Sequence, residues 1–150
     1  MVTKKAVKKE AKEAAEPKNY VFETGKRRRA VARVSIRPGR GIVKVNATPL
    51  ERIGNPFVRM KLMEPLILAG DAWKAYDIRV NAKGGGILGQ ADAARLAIAK
   101  GLAQLAGPEL RKKYMDYDRN MLIADPRRTE PHKPPRSSQG ARRYKQRSKR

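Results

Sequence analysis

The sequence contains no cysteine, only one histidine and no long apolar run. The lack of cysteine excludes disulfide bridges, a thiolate zinc site and a cysteine nucleophile, and it is compatible with a reducing compartment. No window approaches the roughly 18 consecutive apolar residues that a membrane-spanning helix requires, and no apolar stretch resembles a secretory signal. We therefore expect a cytoplasmic protein that neither enters a membrane nor is exported.

Acidic residues are also scarce, because 14 Asp and Glu stand against 36 Lys and Arg, which gives a formal net charge of +22. Such an excess repels itself unless a polyanion neutralises it. A membrane surface and a nucleic acid both attract bases, but surface binding usually requires an amphipathic helix with a wide apolar stripe, which the basic segments lack. The composition therefore favours a nucleic acid as the partner.

The positive charge is concentrated in two segments. Residues 25–46 carry eight bases and no acid, and residues 126–150 carry ten bases and one acid. We predict a Lys/Ala/Glu-rich extension over residues 1–19, a globular RNA-binding domain over residues 20–125 and an extended basic tail over residues 126–150. The tail has four prolines and almost no aliphatic residue. It buries too little apolar surface to offset its ordering entropy, so we expect it to be disordered when free.

The first basic segment has the two-residue period of a strand that is buried on one face. Ala32, Val34 and Ile36 alternate with polar residues, and Val43 and Val45 do the same after a turn at residues 38–41. We expect the two strands to form a hairpin. Its outer surface then displays four bases, namely Arg33, Arg37, Arg40 and Lys44.

Two helices, a further strand and a more polar helical stretch through Leu110, Tyr114 and Tyr117 complete the predicted domain. Asn55 and Pro56 are typical of a helix start, and Pro65 is expected to kink or restart that helix before Gly70 ends it. The periodic apolar residues are Phe57, Met60, Met63 and Ile67 in this helix, Tyr76, Ile78, Val80 and Ala82 in the strand, and Ala91, Ala94, Ile98, Leu102 and Leu105 in the second helix. Together the elements predict an α+β fold, a small mixed sheet with helices on one face.

Glycines between the last strand and the second helix satisfy the pattern G-x-G-x-x-G with Gly84, Gly86 and Gly89. Amides at such a helix start hold phosphates, but a dinucleotide site also needs a second parallel strand ending in an acid about twenty residues on, where this sequence is helical. Three interpretations stay open. The turn holds a nucleotide cofactor, or it is purely structural, or its amides and Lys83 also contact an RNA phosphate.

No group of residues predicts catalysis or a metal site. His132 lies among prolines in the tail, where no rigid element holds it. The acids Asp116, Asp118 and Asp125 are expected to form ordinary surface pairs with the flanking bases Arg111, Lys112, Lys113 and Arg119. We therefore expect no enzyme, no cofactor, no metal and no small-molecule substrate.

Two runs of bases, residues 26–29 and 142–150, contain no acid and point to RNA. Arg binds phosphate oxygens bidentately, Lys adds a point charge, and a tyrosine offers a plane for an unpaired base. Most contacts are expected to reach the RNA backbone, which gives affinity and position rather than sequence readout. The predicted RNA-binding residues are Lys26, Arg27, Arg28, Arg29, Arg33, Arg37, Arg40, Lys44, Lys83, Arg127, Arg128, Arg136, Arg142, Arg143, Tyr144, Lys145 and Arg147.

Three motifs occur in order along the chain, T-G-K-R-R-R-A-V-A-R-V at residues 24–34, K-G-G-G-I-L-G-Q at residues 83–90, and D-P-R-R at residues 125–128 before a basic end. Together they resemble the universal S-nine family of small-subunit ribosomal proteins, over residues 20–150. The amino-acid sequence at residues 63–71 and 125–131 is similar to that of the archaeal and eukaryotic branch of the family.

The resemblance implies a βαβ-type domain on the head of the small subunit, bound to ribosomal RNA and to neighbouring ribosomal proteins. It also implies that the tail threads through RNA, so that Lys149 and Arg150 contact the anticodon stem-loop of the P-site transfer RNA during translation. From the residues alone, two alternatives stay open. One is a free RNA chaperone or regulator, and the other is a small nucleotide-dependent transferase that uses residues 84–90 as its phosphate loop.

Overall fold

A computed structural model describes residues 20–128 of the protein. The predicted extension over residues 1–19 and the tail from residue 129 onward lie outside the described residues. Within residues 20–128, five strands form one mixed sheet in the order β1-β2-β5-β3-β4. The strands are β1 (Val21–Arg27), β2 (Ala30–Pro38), β3 (Val43–Val45), β4 (Thr48–Pro49) and β5 (Tyr76–Lys83).

One α-helix and two 3-10 turns connect β4 to β5, and two further α-helices and a third 3-10 turn follow β5. The helices are α1 (Pro56–Ala69), α2 (Ile87–Ala106) and α3 (Pro108–Tyr117), and the 3-10 turns are Leu50–Arg52, Gly70–Ala75 and Arg119–Met121. Asn55 caps α1 as predicted, because its side-chain oxygen accepts hydrogen bonds from the amides of Phe57 and Val58. Gly70 ends α1 and Gly107 separates α2 from α3, and both glycines have positive φ angles.

The core lies between the sheet and the helices, which confirms the predicted α+β fold with helices on one face of a mixed sheet. Val34 and Ile36 of β2 and Ile78 of β5 are buried beneath Ile98 and Leu102 of α2. A Cβ at position 101 of α2 would lie only 2.6 Å from Ile36 Cδ1, so a glycine there lets α2 approach the sheet closely.

The predicted hairpin between β2 and β3 is wrong, because β5 lies between these two strands. β2 pairs antiparallel with β1 and β5, and β3 pairs in parallel with β5 through Val43 opposite Ile78. Alternation fixes which face a side chain occupies but not which strand lies beside it. The Asp77 carboxylate accepts hydrogen bonds from the amides of Arg40 (2.9 Å) and Ile42 (3.0 Å), which holds the β2–β3 connection across the start of β5.

The strand β1 was not predicted. In this part of the chain, the sequence indicated only a run of bases at residues 26–29. A two-residue turn, Arg28–Arg29, joins β1 to β2 in a tight hairpin. Gly25 lies where β1 packs against α2, and a side chain there would meet the backbone of Ala93 and Ala97. The glycine that weakens the strand pattern in the sequence is therefore what permits the close contact.

The helix α1 buries a different face from the one its periodic residues suggested. Its buried residues are Val58, Leu62, Pro65 and Leu66, whereas Phe57, Met60, Met63 and Ile67 are all exposed. The helix does not restart at Pro65, because α1 runs through that residue. Tyr114 of α3 donates a hydrogen bond from its hydroxyl to the Pro65 carbonyl oxygen (2.7 Å). Burial raises the pKa of Tyr114, which keeps this donor protonated.

Candidate nucleic-acid interface

The face of the sheet opposite the helices carries a basic surface, which we name the open sheet face. Strand alternation and register bring its residues together from β1, β2, β3 and β5. They are Phe22, Thr24, Lys26, Val31, Arg33, Ser35, Arg37, Lys44, Asp77, Arg79, Asn81 and Lys83. Every base in this set is exposed, and none of the six forms an ion pair with another residue of the part of the chain described here.

The one acid of the open sheet face, Asp77, lies at its end. Hydrogen bonds from the amides of Ile42 and Arg40 lower the pKa of Asp77, so its charge is already engaged by the backbone. Arg79 lies between Ser35 and Lys44 on the neighbouring strands, and Lys83 lies beside Val31. Strands are spaced about 4.8 Å apart, so these bases form a continuous positive surface rather than isolated charges.

Two exposed aromatic residues border the open sheet face at the start of β1. The rings of Tyr20 and Phe22 are 5.6 Å apart and meet edge to face at 69°. Phe22 lies opposite Ser35, in the same row as Arg79. An exposed ring beside bases suits the stacking of an unpaired nucleobase. Sequence reasoning missed Tyr20, Phe22 and Arg79, although Arg79 alternates outward in a strand that it did predict.

The β1–β2 turn and the glycine-rich loop lie next to each other at one end of the sheet. Arg28 and Arg29 line a depression of about 550 Å³ together with Gly85 and Gly86. A Cβ at Gly84 would lie 2.6 Å from the Arg29 carbonyl oxygen, so the loop needs a glycine there to fit against the turn. Gly86 precedes α2, whose first amides no side chain caps.

This arrangement disfavours one of the three interpretations of the glycine pattern, the nucleotide-cofactor site. Within residues 20–128, no strand follows α2, so the second parallel strand of a dinucleotide site is missing. The structural interpretation holds because Gly84 and Gly85 have positive φ angles and pack on the turn. The exposed Lys83 and the Arg28–Arg29 turn keep the phosphate-contact interpretation available.

The start of the predicted tail is attached to the domain by an ion pair. Arg27 lies on the helix side of β1 and pairs with Asp125 and with Asp92 (3.7 Å). Asp125 also accepts a hydrogen bond from the amide of Arg127 (2.8 Å). Arg27 therefore has two carboxylate partners inside the domain, whereas Arg127 and Arg128 are exposed as the chain leaves it.

Two of the acids that were expected to pair with neighbouring bases, Asp118 and Asp125, have more distant partners. Asp118 pairs with Arg95 of α2 (2.8 Å) and accepts a hydrogen bond from the amide of Asn120. Burial raises the pKa of Asp118, whereas these hydrogen bonds and the charge of Arg95 lower it. The lowering is larger in total, so the net shift of the pKa is downward. Among residues 20–128, no group of His, Cys, Asp and Glu is arranged to hold a metal ion.

Ten of the seventeen predicted RNA-binding residues are exposed in the described part: Lys26, Arg28, Arg29, Arg33, Arg37, Arg40, Lys44, Lys83, Arg127 and Arg128. Arg27 is partly buried in its ion pairs. The others, and the two predicted transfer-RNA contacts, lie outside the described residues: Arg136, Arg142, Arg143, Tyr144, Lys145, Arg147, Lys149 and Arg150. Across residues 20–128, no helix is long and apolar enough to span a bilayer.

Comparison with known proteins gives one consistent family. The model described as "Ribosomal protein S9/S16" matches residues 25–150. A protein named "Small ribosomal subunit protein uS9" from Methanococcus maripaludis (strain C5) is 47% identical over 129 residues, which is 85% of this chain and 96% of that protein. The protein of the same name from Methanococcus vannielii is 46% identical over 129 residues, with the same two coverages. That from Aeropyrum pernix is 46% identical over 130 residues, 75% of this chain and 86% of its own length.

Proposed function

Because the chain belongs to the ribosomal protein S9/S16 family, we propose that it binds ribosomal RNA through the open sheet face and the adjoining Arg28–Arg29 turn. The chain is a ribosomal protein of the small subunit and not an enzyme, with its relatives in archaea.

The observation that carries the proposal is the asymmetry of charge between the two sides of the domain. The open sheet face has six exposed bases and a single acid whose carboxylate is engaged by backbone amides. On the helix side, by contrast, Lys61 pairs with Asp92 (2.5 Å) and Arg95 pairs with Glu64 and Asp118. Within the described part of the chain, six unpaired bases with a single, already engaged acid among them therefore face an external polyanion on the sheet side, whereas the helix side mixes bases with acids.

The chemistry of the open sheet face is that of phosphate binding. The guanidinium groups of Arg33, Arg37 and Arg79 hold two phosphate oxygens each, whereas Lys44 and Lys83 add point charges. Each contact releases condensed counterions from the RNA, so the affinity depends steeply on salt. Phe22 supplies a stacking surface for a base that is not paired. Such contacts fix the position and orientation of RNA rather than its sequence.

The tail extends this surface in the proposal. Arg127 lies beside the Arg27–Asp125 ion pair where the chain leaves the domain, in a depression that Lys26 also lines. From there Arg136, Arg142, Arg143, Tyr144, Lys145 and Arg147 run along ribosomal RNA, and Lys149 and Arg150 reach the P-site transfer RNA. The ten bases and one acid of residues 126–150, and the match of the family model up to residue 150, support this assignment.

Cross-linking of purified small subunits tests the proposal at both ends of the chain. A photoactivatable residue at position 79 is expected to cross-link to ribosomal RNA, and one at position 150 to transfer RNA bound in the P site. Position 109, an exposed acid on α3, serves as the control that is not expected to reach RNA. Absence of an RNA cross-link from position 79 would contradict the role of the open sheet face, and absence of one from position 150 would contradict the role of the tail.

A further inference from the structure

The exposed side of α1 is unusually apolar for a surface that no other element of the described chain covers. Phe57, Met60, Met63 and Ile67 are 53%, 66%, 39% and 70% exposed. At about 100° per residue, they lie on nearly the opposite side of α1 from Val58, Leu62, Pro65 and Leu66, which face the core. A helix that is apolar on both sides is typical of one that is covered on both sides.

A groove adjoins this exposed side of α1. It has a volume of about 800 Å³ and runs between α1 and the segment that contains β3, β4 and the 3-10 turns. Its apolar walls are formed by Met63 and Ile67 of α1 and by Ile42, Leu50 and Trp73, the only tryptophan of the chain. We name this groove, together with Phe57 and Met60, the α1 groove.

We infer that the α1 groove binds an amphipathic segment of a neighbouring protein in the assembled subunit, an inference that rests on the proposed function. The charge around the α1 groove favours a protein over RNA as its occupant. Residues 49–75 carry four bases and three acids, whereas the open sheet face carries six bases and one acid. RNA gains little from a surface that is nearly neutral and apolar, whereas a protein segment gains from burying its own apolar side chains there.

The charged residues at the rim of the α1 groove are complementary to a segment that carries both signs. Arg59 lies near the start of α1 and Asp71 lies just beyond its end, and the helix spans about 15 Å along its axis from Arg59 to Ala69. Asp71 is almost fully exposed, with Lys74 as its partner (2.5 Å). A segment with an acid opposite Arg59 and a base opposite Asp71 matches both ends of the groove.

The small exposed area of α1 and the net charge of the chain count against a second copy of this chain as the occupant. Taking about 200 Å² for a fully exposed large residue, the four exposed residues of α1 present roughly 450 Å². A stable dimer buries about 800 Å² on each partner. Two chains of net charge +22 also repel each other. A patch of this size suits a segment that the particle already holds nearby.

Photo-cross-linking in intact small subunits tests the inference. A benzophenone residue is placed at position 60 of the full chain, and at position 115 as a control. Met115 is also an exposed methionine on a helix, but it lies on α3, outside the groove. We expect position 60 to cross-link to one peptide of another subunit protein, a peptide with apolar residues at helical spacing, and position 115 not to capture it. A cross-link to RNA or to a second copy, or no cross-link at all, would overturn the inference.

A pair of substitutions separates docking from folding and from RNA binding. Met63→Glu in the groove and Met115→Glu on α3 alter the same residue type at 39% and 40% exposure. We expect Met63→Glu to weaken retention of the captured protein in reconstituted subunits by about ten-fold or more, because a carboxylate is left in an apolar contact. Thermal unfolding and affinity for ribosomal RNA should change equally in the two variants. Equal retention in both variants would contradict docking, whereas failure of the wild-type chain to enter the particle would refute the proposed function itself.

Discussion

The sharpest test of the open sheet face is the salt dependence of RNA binding by a variant that lacks its central bases. Arg33, Lys44 and Arg79 belong to three different strands and are all exposed. Their replacement by Gln removes three charges while the core beneath stays intact. Exposed substitutions of this kind usually change the free energy of unfolding by no more than about 0.5 kcal/mol.

The expected magnitude follows from counterion release. Each phosphate contact contributes about 0.7 to 0.9 to the slope of log affinity against log salt concentration, so the loss of three contacts lowers the slope by roughly 2 to 3. Between 50 and 200 mM salt, the wild-type chain should therefore lose about 20- to 40-fold more affinity than the variant does. Filter binding or fluorescence anisotropy with a small-subunit ribosomal RNA fragment measures both slopes.

A matched control distinguishes direct contact from general attraction. Arg111, Lys112 and Lys113 are equally exposed on α3, and their replacement by Gln removes the same net charge. If the open sheet face holds the RNA, this control should leave the slope nearly unchanged. Equal changes in the two triple variants, or no change in either, would refute the assignment of the interface.

Three further predictions concern stability. Tyr114→Phe removes the hydroxyl that bonds the Pro65 carbonyl oxygen, and should lower the free energy of unfolding by about 1 to 2 kcal/mol in a denaturant titration; an unchanged midpoint would mean that the bond contributes nothing. Gly25→Ala drives a Cβ into the Ala93 backbone, so it should cost about 2 kcal/mol or more in the same assay, and a smaller loss would show that β1 moves away freely. Because backbone hydrogen bonds lower the pKa of Asp77, its stabilising contribution is present above the carboxyl pKa of the unfolded chain, about 4, and is lost as the pH falls through the lower folded value. The variant Asp77→Asn should therefore show a weaker fall of Tm between pH 5 and 2 than the wild type, and identical profiles would contradict this.

The predictable parts of the fold were those that local patterns determine. The alternation in β2 and β5, the Asn55 cap of α1 and the apolar stripe of α2 all follow from the period of a strand or a helix. The order of the strands in the sheet does not follow from these periods, because any two strands with one apolar face satisfy the same pattern. The chain crosses over through α1 before β5 inserts between β2 and β3. The paired residues of β3 and β5 are therefore more than thirty positions apart in the sequence.

The helix α1 shows why spacing alone identifies a helix but not always its buried face. Both sides of α1 are apolar, and the sequence carries no local signal that distinguishes Phe57 and Met60 from Val58 and Leu62. Packing against α2 determines which side of α1 is buried. The Lys61–Asp92 and Glu64–Arg95 ion pairs also fix the rotation of α1 about its axis.

The candidate interface was predictable in part, because alternation along a strand determines which residues share a face. Arg33, Arg37 and Lys44 were placed on one face by alternation, and the structure keeps them there even though the hairpin is absent. Arg79 joins them only because β5 is the central strand, which the sequence does not reveal. Arg27 has acidic partners far along the chain, in α2 and at residue 125, and no local pattern could assign them.

The position of β1 at one end of the strand order leaves its outer backbone groups without a partner in the described domain. At the opposite end, β4 has only two residues and includes a proline, which blocks strand addition. Within residues 20–128, β1 thus presents one long edge at which another chain could pair and begin to aggregate. Lys26 and the two arginines of the adjacent turn place like charges at that edge, so mutual repulsion keeps free copies apart until RNA neutralises them.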